Sequence, residues 1–365
     1  MMAAPFPLRR KARFTSVFEA GRFLGALHPQ GIWVEDAHTL RLFPALFVLN
    51  DVLVIPPDWS VLTNDDRLIV DGIAINPYLI RKGRFPAIQP TGGEGCALTL
   101  EVGDPIDEPV FFVGGDCMGN YYHWLVDFFP RLVAFLRLRP RLRALGILRI
   151  ALLRDPPEVV FALLAHLGLR EEDVLWIDGN QPRPVRSLAL LSNVSQYGYI
   201  HPFAVETLRA EFPPPPGAGA AKRALYVSRR DANARRIRNE EELTAALAAR
   251  GIETVVPGAL SFDAQRRLFA EACVIVGPHG AGLTNMLFAP PGARVVELWP
   301  DAPPLRHFAF LARALGHRFT ALRAAPTGAD PSSDHNADFH ADPTRVLTAL
   351  EALENEEGAD LFSNT

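Results

Sequence analysis

Short apolar runs bounded by turn residues alternate with amphipathic stretches along most of this chain, and the alternation changes character part-way. From Leu40 to Asp71 the apolar runs are broken by Asn50-Asp51, Pro56-Pro57 and Asn64-Asp65-Asp66, a spacing that predicts small antiparallel strands. From Pro109 the units lengthen. Strands are predicted at 109–113, 148–153, 174–177 and 188–191, with helices at 121 to about 137, 157–167 and 202–210. Residues 212–221, a phenylalanine, four prolines and then Gly and Ala, read as a stiff spacer followed by a flexible one.

Beyond that spacer the alternation is regular. Strands at 224–228, 252–256, 274–277, 294–298 and 319–322 are separated by helices at 240–249, 262–272 and 307–315, the rhythm of a parallel sheet with right-handed crossovers. A polar stretch at 327–342 reads as loop, and 344–353 as a last amphipathic helix. The expected organisation is α/β. A first domain at 1–212, with a β-rich start, is joined by a linker at 213–222 to a Rossmann-like second domain at 223–342. A terminal helix and tail at 343–365 has the option of crossing back to the first domain.

The segment from Val274 to Pro300 carries the sharpest chemistry. A strand runs into Gly277, Gly280 and Gly282, which let backbone approach a ligand without a Cβ in the way. A short helix over Leu283–Phe288 then presents unpaired N–H groups and partial positive charge, a ready site for phosphate. Pro290, Pro291 and Gly292 stop it, and Glu297 ends the next strand, where open α/β sheets place their ligands. The turn is neither G-x-G-x-x-G nor a Walker loop. His279 reads as a phosphate contact or a satisfied turn residue, and Glu297 as a ribose acceptor or a loop cap.

Two further blocks add charge. Tyr226–Asn239 ends a strand and releases five arginines (229, 230, 235, 236 and 238) before the next helix. Guanidinium groups there suit bidentate contacts to phosphate, against the plainer reading of a solvated basic loop. Asn239 with Glu242 has the spacing of a capping box. Gly114–Pro130 follows a strand directly, and His123 and Asp127 lie four apart on its helix, sharing one face. A histidine near its ordinary pKa, with a carboxylate fixing its tautomer, is a candidate general base; the plainer reading is core packing.

The remaining numbers exclude more than they assign. A chain of 365 residues is comfortable for two domains, and a formal charge of -4 gives no global attraction for nucleic acid. No apolar stretch approaches the roughly 20 residues that span a bilayer, and the basic start does not read as a secretory signal. Three widely spaced cysteines, Cys96, Cys117 and Cys273, suit a reducing compartment, so the cytoplasm is expected, with its membrane face as a second location. No metal site is expected: the chain lacks an Asp-x-Asp, and Asp330, Asp334, Asp338, His335 and His340 read as solvated.

Taken together, the three blocks resemble the family 61 glycosyltransferases, which carry an H-W-x-x-D-like helix, an S-R…R-x-I-x-N block and an H-G-A-G-L-T-N…E-L block in this order. The family includes plant xylosyl- and arabinosyltransferases, animal O-linked N-acetylglucosaminyltransferases and bacterial proteins of polysaccharide assembly. The resemblance runs from about Val113 to Pro300. It implies a GT-B architecture of two Rossmann-like domains facing across a cleft, with an inverting reaction that uses no cofactor and no essential metal. His123 and Asp127 are its implied catalytic pair. Arg229, Arg235, His279, Gly280, Ala281, Gly282, Leu283, Thr284, Asn285 and Glu297 are implied to bind the donor, and Asn120 and Asn239 to hold the motifs. The implied partners are a nucleotide sugar, with UDP as the usual carrier, and a glycan or lipid-linked glycan acceptor; contact with a membrane surface is compatible with this. Rival readings are a non-catalytic sugar or nucleotide binder of the same fold and a metal-dependent phosphoesterase built from His123, Asp127 and His279.

Overall fold

The computed structural model describes residues 8–28, 32–34, 40–56, 60–69, 88–91, 95–115, 117–179, 181–196, 198–213, 223–300, 305–324 and 335–355. Residues 214–222 of the expected linker lie outside them, as do Asp330 and Asp334. The chain divides into two compact units, Met1–Gln196 and Tyr197–Thr365.

The first unit is built on one large mixed sheet. Its strands are β1 (Leu8–Thr15), β2 (Arg22–Ala26), β5 (Ala45–Ile55), β6 (Ser60–Leu62), β7 (Arg67–Ile69), β8 (Ile88–Thr91), β9 (Gly95–Leu100), β10 (Val110–Phe112), β11 (Arg149–Leu153), β12 (Val174–Ile177) and β13 (Arg183–Leu191). β3 (Ile32–Val34) and β4 (Leu40–Leu42) form a separate antiparallel ribbon, and β14 (Ser195–Gln196) closes the unit. The sheet runs β12-β11-β10-β13-β5-β6-β7-β1-β9-β8, with β2 on β5. The early strands are antiparallel apart from β1 with β7, and they enclose their own core of Leu53, Leu62, Leu68, Cys96 and Leu98. The pattern of turns foretold these strands, but not that β5 would pair antiparallel with β13, from Leu46–Leu191 to Val54–Arg183, and fuse both halves into one sheet.

Among the parallel strands the order matters. β10 is followed in the chain by β11 and then β12 on one side, while β13 returns to β10's other side. The carboxyl ends of β10 and β13 therefore flank a topological switch point, where connections leave in opposite directions and open a crevice. The helix after β10 covers it. It is α-helical over Tyr121–His123, widens to a π-turn over Trp124–Phe128 and continues as α-helix over Phe129–Ala144. Trp124, Leu125, Val126, Phe128 and Phe129 are fully buried, which anchors the turn.

The second unit opens with β15 (Tyr199–Ile200) and the helix Pro202–Glu211. Its five-stranded sheet is parallel throughout: β16 (Arg223–Val227), β17 (Ile252–Val255), β18 (Ala272–Pro278), β19 (Arg294–Trp299) and β20 (Arg318–Arg323), in the order β17-β16-β18-β19-β20. This is a doubly wound order with its switch point between β16 and β18. The division between units lies ahead of the polyproline run because the Pro202–Glu211 helix packs with the helix His307–Leu315, and Arg209 Nη2 donates to Leu315 O at 2.6 Å. The last helix, Pro343–Asn355, differs from the option of a return to the first domain. Val346, Leu350 and Leu353 join Tyr226, Val276 and Val296 in the core of the second unit.

Candidate active site

Each switch point holds a cluster of polar side chains. In the first unit, Asn120 caps the helix after β10 by accepting from Tyr122 N at 2.8 Å. This fixes the start of the turn that carries His123 and Asp127. His123 Nδ1 lies 2.6 Å from Asp127 Oδ2, and Ser195, from β14, donates its hydroxyl to Asp127 Oδ1. Arg131 is buried one turn on, with Nη1 on Gly114 O at 2.7 Å and Nη2 on Asn193 Oδ1 at 3.1 Å. Gly114 follows β10 and Asn193 follows β13, so one guanidinium ties together both strand ends that form the crevice.

The charges here are strongly coupled. Burial opposes a charge on His123, but its hydrogen bonds to Asp127 and Cys117 and the charge of both raise it to about 10. The sequence suggested a histidine near its ordinary value; a nearly buried carboxylate in contact keeps it an imidazolium at neutral pH instead. Burial lowers Arg131 to about 10, with Asp127 opposing. Cys117 sits in the left-handed region, φ 64°.

In the second unit the glycine turn after β18 faces the basic loop after β16. Of the five arginines, Arg230, Arg236 and Arg238 are exposed, and Arg236 is paired with Asp338 at 2.9 Å. Arg229 and Arg235 are half-buried and turn toward the turn. Arg229 donates to Ala234 O at 3.1 and 3.3 Å and lays its guanidinium against Gly280, where any Cβ would overlap it. Gly280 is extended, φ 169°, so space rather than conformation requires glycine. Arg235 has a left-handed backbone, φ 57°, and donates to Asn336 Oδ1 at 3.0 Å.

His279 lies beneath. Its ring stacks on Trp299 with centroids 4.0 Å apart, meets the edge of Phe308 at 5.1 Å, and places Nδ1 2.5 Å from Glu297 Oε1. Burial, then Arg235, Arg229 and His335, push His279 down to about 3. Burial raises Glu297 to about 8, against the pull of Trp299 and Arg235. Both shifts run against charge on this buried pair, favouring a carboxylic acid facing an unprotonated ring nitrogen.

Several motif residues serve the turn from within. Leu283, Thr284 and Asn285 are fully buried in a 3₁₀ helix, Ala281–Phe288; Asn285 bonds Gln265 Oε1 at 2.8 Å and Gly282 O at 3.1 Å. Ala281 and Gly282 keep partial exposure, and a Cβ at Gly282 would meet Val227 at 2.9 Å. Glu297 is turned to His279 rather than to open space. Asn239 makes no cap bond; its amide spans Ala341, Oδ1 accepting at 3.0 Å and Nδ2 donating at 2.9 Å. Among the described residues, no group of three or more His, Cys, Asp or Glu is arranged to hold a metal.

Sequence comparison now meets this geometry. A family model, Glycosyltransferase 61, matches residues 121–296, from the first residue of the His123 helix to the strand that carries Glu297. Residues 121–296, just under half of the chain, are thus similar to the glycosyltransferase 61 family. It is 32% identical over 131 residues to the EGF domain-specific O-linked N-acetylglucosamine transferase of Drosophila melanogaster, covering 35% of this chain and 24% of that protein. It is also 32% identical over 74 residues to the Beta-1,2-xylosyltransferase of Arabidopsis thaliana, covering 20% of this chain and 14% of that one. The matched stretches thus span a quarter or less of these relatives' own lengths. No helix among the described residues is long and apolar enough to cross a membrane.

Proposed function

We propose that this chain is a glycosyltransferase of family 61 and transfers a sugar from a nucleoside diphosphate to an acceptor hydroxyl. The observation that carries the reading is the pairing of Arg229 with Gly280: a guanidinium drawn over an amide-lined turn at a parallel-sheet switch point. Arg229 and Arg235 supply positive charge where a leaving diphosphate becomes more negative, so the reaction needs no metal for that task. UDP is the proposed carrier and GT-B the proposed architecture. The proposed setting is polysaccharide assembly in the cytoplasm or at its membrane face, with a glycan or lipid-linked glycan as acceptor.

The chemistry is a single in-line displacement with inversion. The acceptor oxygen attacks the anomeric carbon, the bond from that carbon to the diphosphate oxygen breaks, and the acceptor proton passes to a base. His123 is that base in its neutral form, with Asp127 and Ser195 fixing the ring. The transition state is oxocarbenium-like, so positioning and charge supply most of the acceleration.

Calorimetry with UDP and a panel of nucleoside diphosphates tests the donor site. Wild type should bind one of them, and Arg229→Ala should weaken that binding at least tenfold, the loss of a bidentate charge-assisted contact of about 1.5–3 kcal/mol. Equal binding by the variant removes Arg229 from the site. His123→Ala should abolish transfer and leave donor binding unchanged; retained turnover rejects it as base. Transfer that persists with a chelator supports the metal-free route, and transfer lost to chelator and restored by a divalent ion overturns it.

A further inference from the structure

The His279–Glu297 pair is built in a way that anion binding alone does not explain. A buried carboxyl group normally faces a cation or several N–H donors. Glu297 lies within the pull of the Trp299 indole and of Arg235, yet it pairs at 2.5 Å with one nitrogen of a histidine clamped between Trp299 and Phe308, which prevents the ring from turning away. Nε2, on the opposite side of the ring, has no hydrogen-bond partner among the described residues. The groups that face His279 are Glu297 and Trp299 from β19, Arg229 and Arg235 from the loop after β16, His335 from the segment beside Trp299, and the uncharged Phe308.

Two guanidinium groups in that set hold the ring neutral in the unliganded protein, and burial of Glu297 keeps its proton in place. A diphosphate seated on those guanidiniums reverses the sign of the field at His279. Resting on the donor reading above, we propose that diphosphate binding moves one proton from Glu297 Oε1 to His279 Nδ1, and that the resulting imidazolium donates from Nε2 to a phosphate oxygen. The Oε1–H bond breaks as the Nδ1–H bond forms across 2.5 Å, and no proton enters or leaves the protein. The neutral acid and base become a carboxylate and a third cation, present only when the anion is. Glu297 is then a positioning residue that charges His279 on demand, and His279 stabilises the departing diphosphate.

Nitrogen NMR of ring-labelled histidine in the full chain, with UDP as probe, reads this directly. The free protein should show His279 Nδ1 as an unprotonated acceptor between pH 6 and 8. Saturation with UDP should show both ring nitrogens protonated, while calorimetry in buffers of different ionisation enthalpy finds no net proton uptake. Glu297→Gln keeps size and a donor to Nδ1 but has no proton to give. It should hold His279 neutral with UDP present and lower UDP affinity about tenfold, the difference between a charge-assisted and a neutral hydrogen bond. The proton transfer is overturned if wild type binds UDP while His279 keeps one charge state throughout, or if Glu297→Gln binds as tightly as wild type; the donor site survives either result. Failure of every nucleotide to bind removes the donor site itself.

Discussion

Arg131 Nη2 donates to Asn193 Oδ1 across 3.1 Å, and through that bond a buried cation on the helix after β10 holds the chain that leaves β13. Burying a guanidinium is unfavourable unless its donors are matched, and Gly114 O and Asn193 Oδ1 supply two of the matches. Asn193→Leu should lower unfolding free energy by about 2 kcal/mol, the cost of a lost hydrogen bond to a buried charge. Urea titration of both proteins checks this, and UDP affinity, which belongs to the second unit, should not change.

His123 links stability to pH with a definite sign. Its folded value of about 10 exceeds the ordinary 6.5, so its contribution is complete below about pH 6.5 and is lost as pH rises through 10. Wild type should lose stability over that window more steeply than His123→Gln in parallel urea titrations. If neutral His123 is the base, kcat/KM rises over the same window, so activity climbs while the fold weakens.

Ser195 holds the second oxygen of Asp127. Ser195→Ala should reduce turnover about tenfold by letting the carboxylate shift, while UDP affinity stays at the wild-type value. A fall in UDP affinity instead would show that Ser195 acts on something other than this dyad.

Two glycines of the same turn should fail differently. A Cβ at Gly277 meets Val227 Cβ and its carbonyl oxygen at 2.9 Å, where backbone must move, so Gly277→Ala should destabilise the β16–β18 pair by roughly 1–3 kcal/mol. The three atoms nearest a Cβ at Gly280 all belong to the flexible Arg229 side chain. Gly280→Ala should therefore melt close to wild type and lose nucleotide affinity as the guanidinium is displaced.

The second unit was legible nearly strand by strand because its apolar runs are short, parallel and punctuated by Gly, Pro and acidic helix starts. His307–Leu315 was expected with the bounds it has. The β5–β13 pairing was not legible, since it depends on the register of strands far apart in the chain, and local pattern carries no such information. The site divides the same way. His123, Asp127, Arg229, Arg235 and His279 stand out within their motifs, whereas Asn193 and Ser195 arrive from the chain after β13 and His335 from the segment read as a loop. Arg131 left one trace, a charge among Phe128, Phe129, Leu132 and Val133 on a face otherwise apolar. Asn239 is the N-cap and its Nδ2 donates to Glu242 Oε2 at 3.0 Å, but its Oδ1 accepts from Ala341 N, distant in sequence, rather than from the helix backbone.

The widened turn at Trp124–Phe128 sets a constraint on length. A π-turn accommodates one residue more than an α-turn, and each residue of a helix advances its surface by about 100°. Deleting any single position inside 124–128 would relax the helix to regular winding and swing everything downstream by that angle, carrying Arg131 off Gly114 and Asn193. Functional relatives should therefore preserve the spacing between the histidine and this arginine even where the intervening side chains drift.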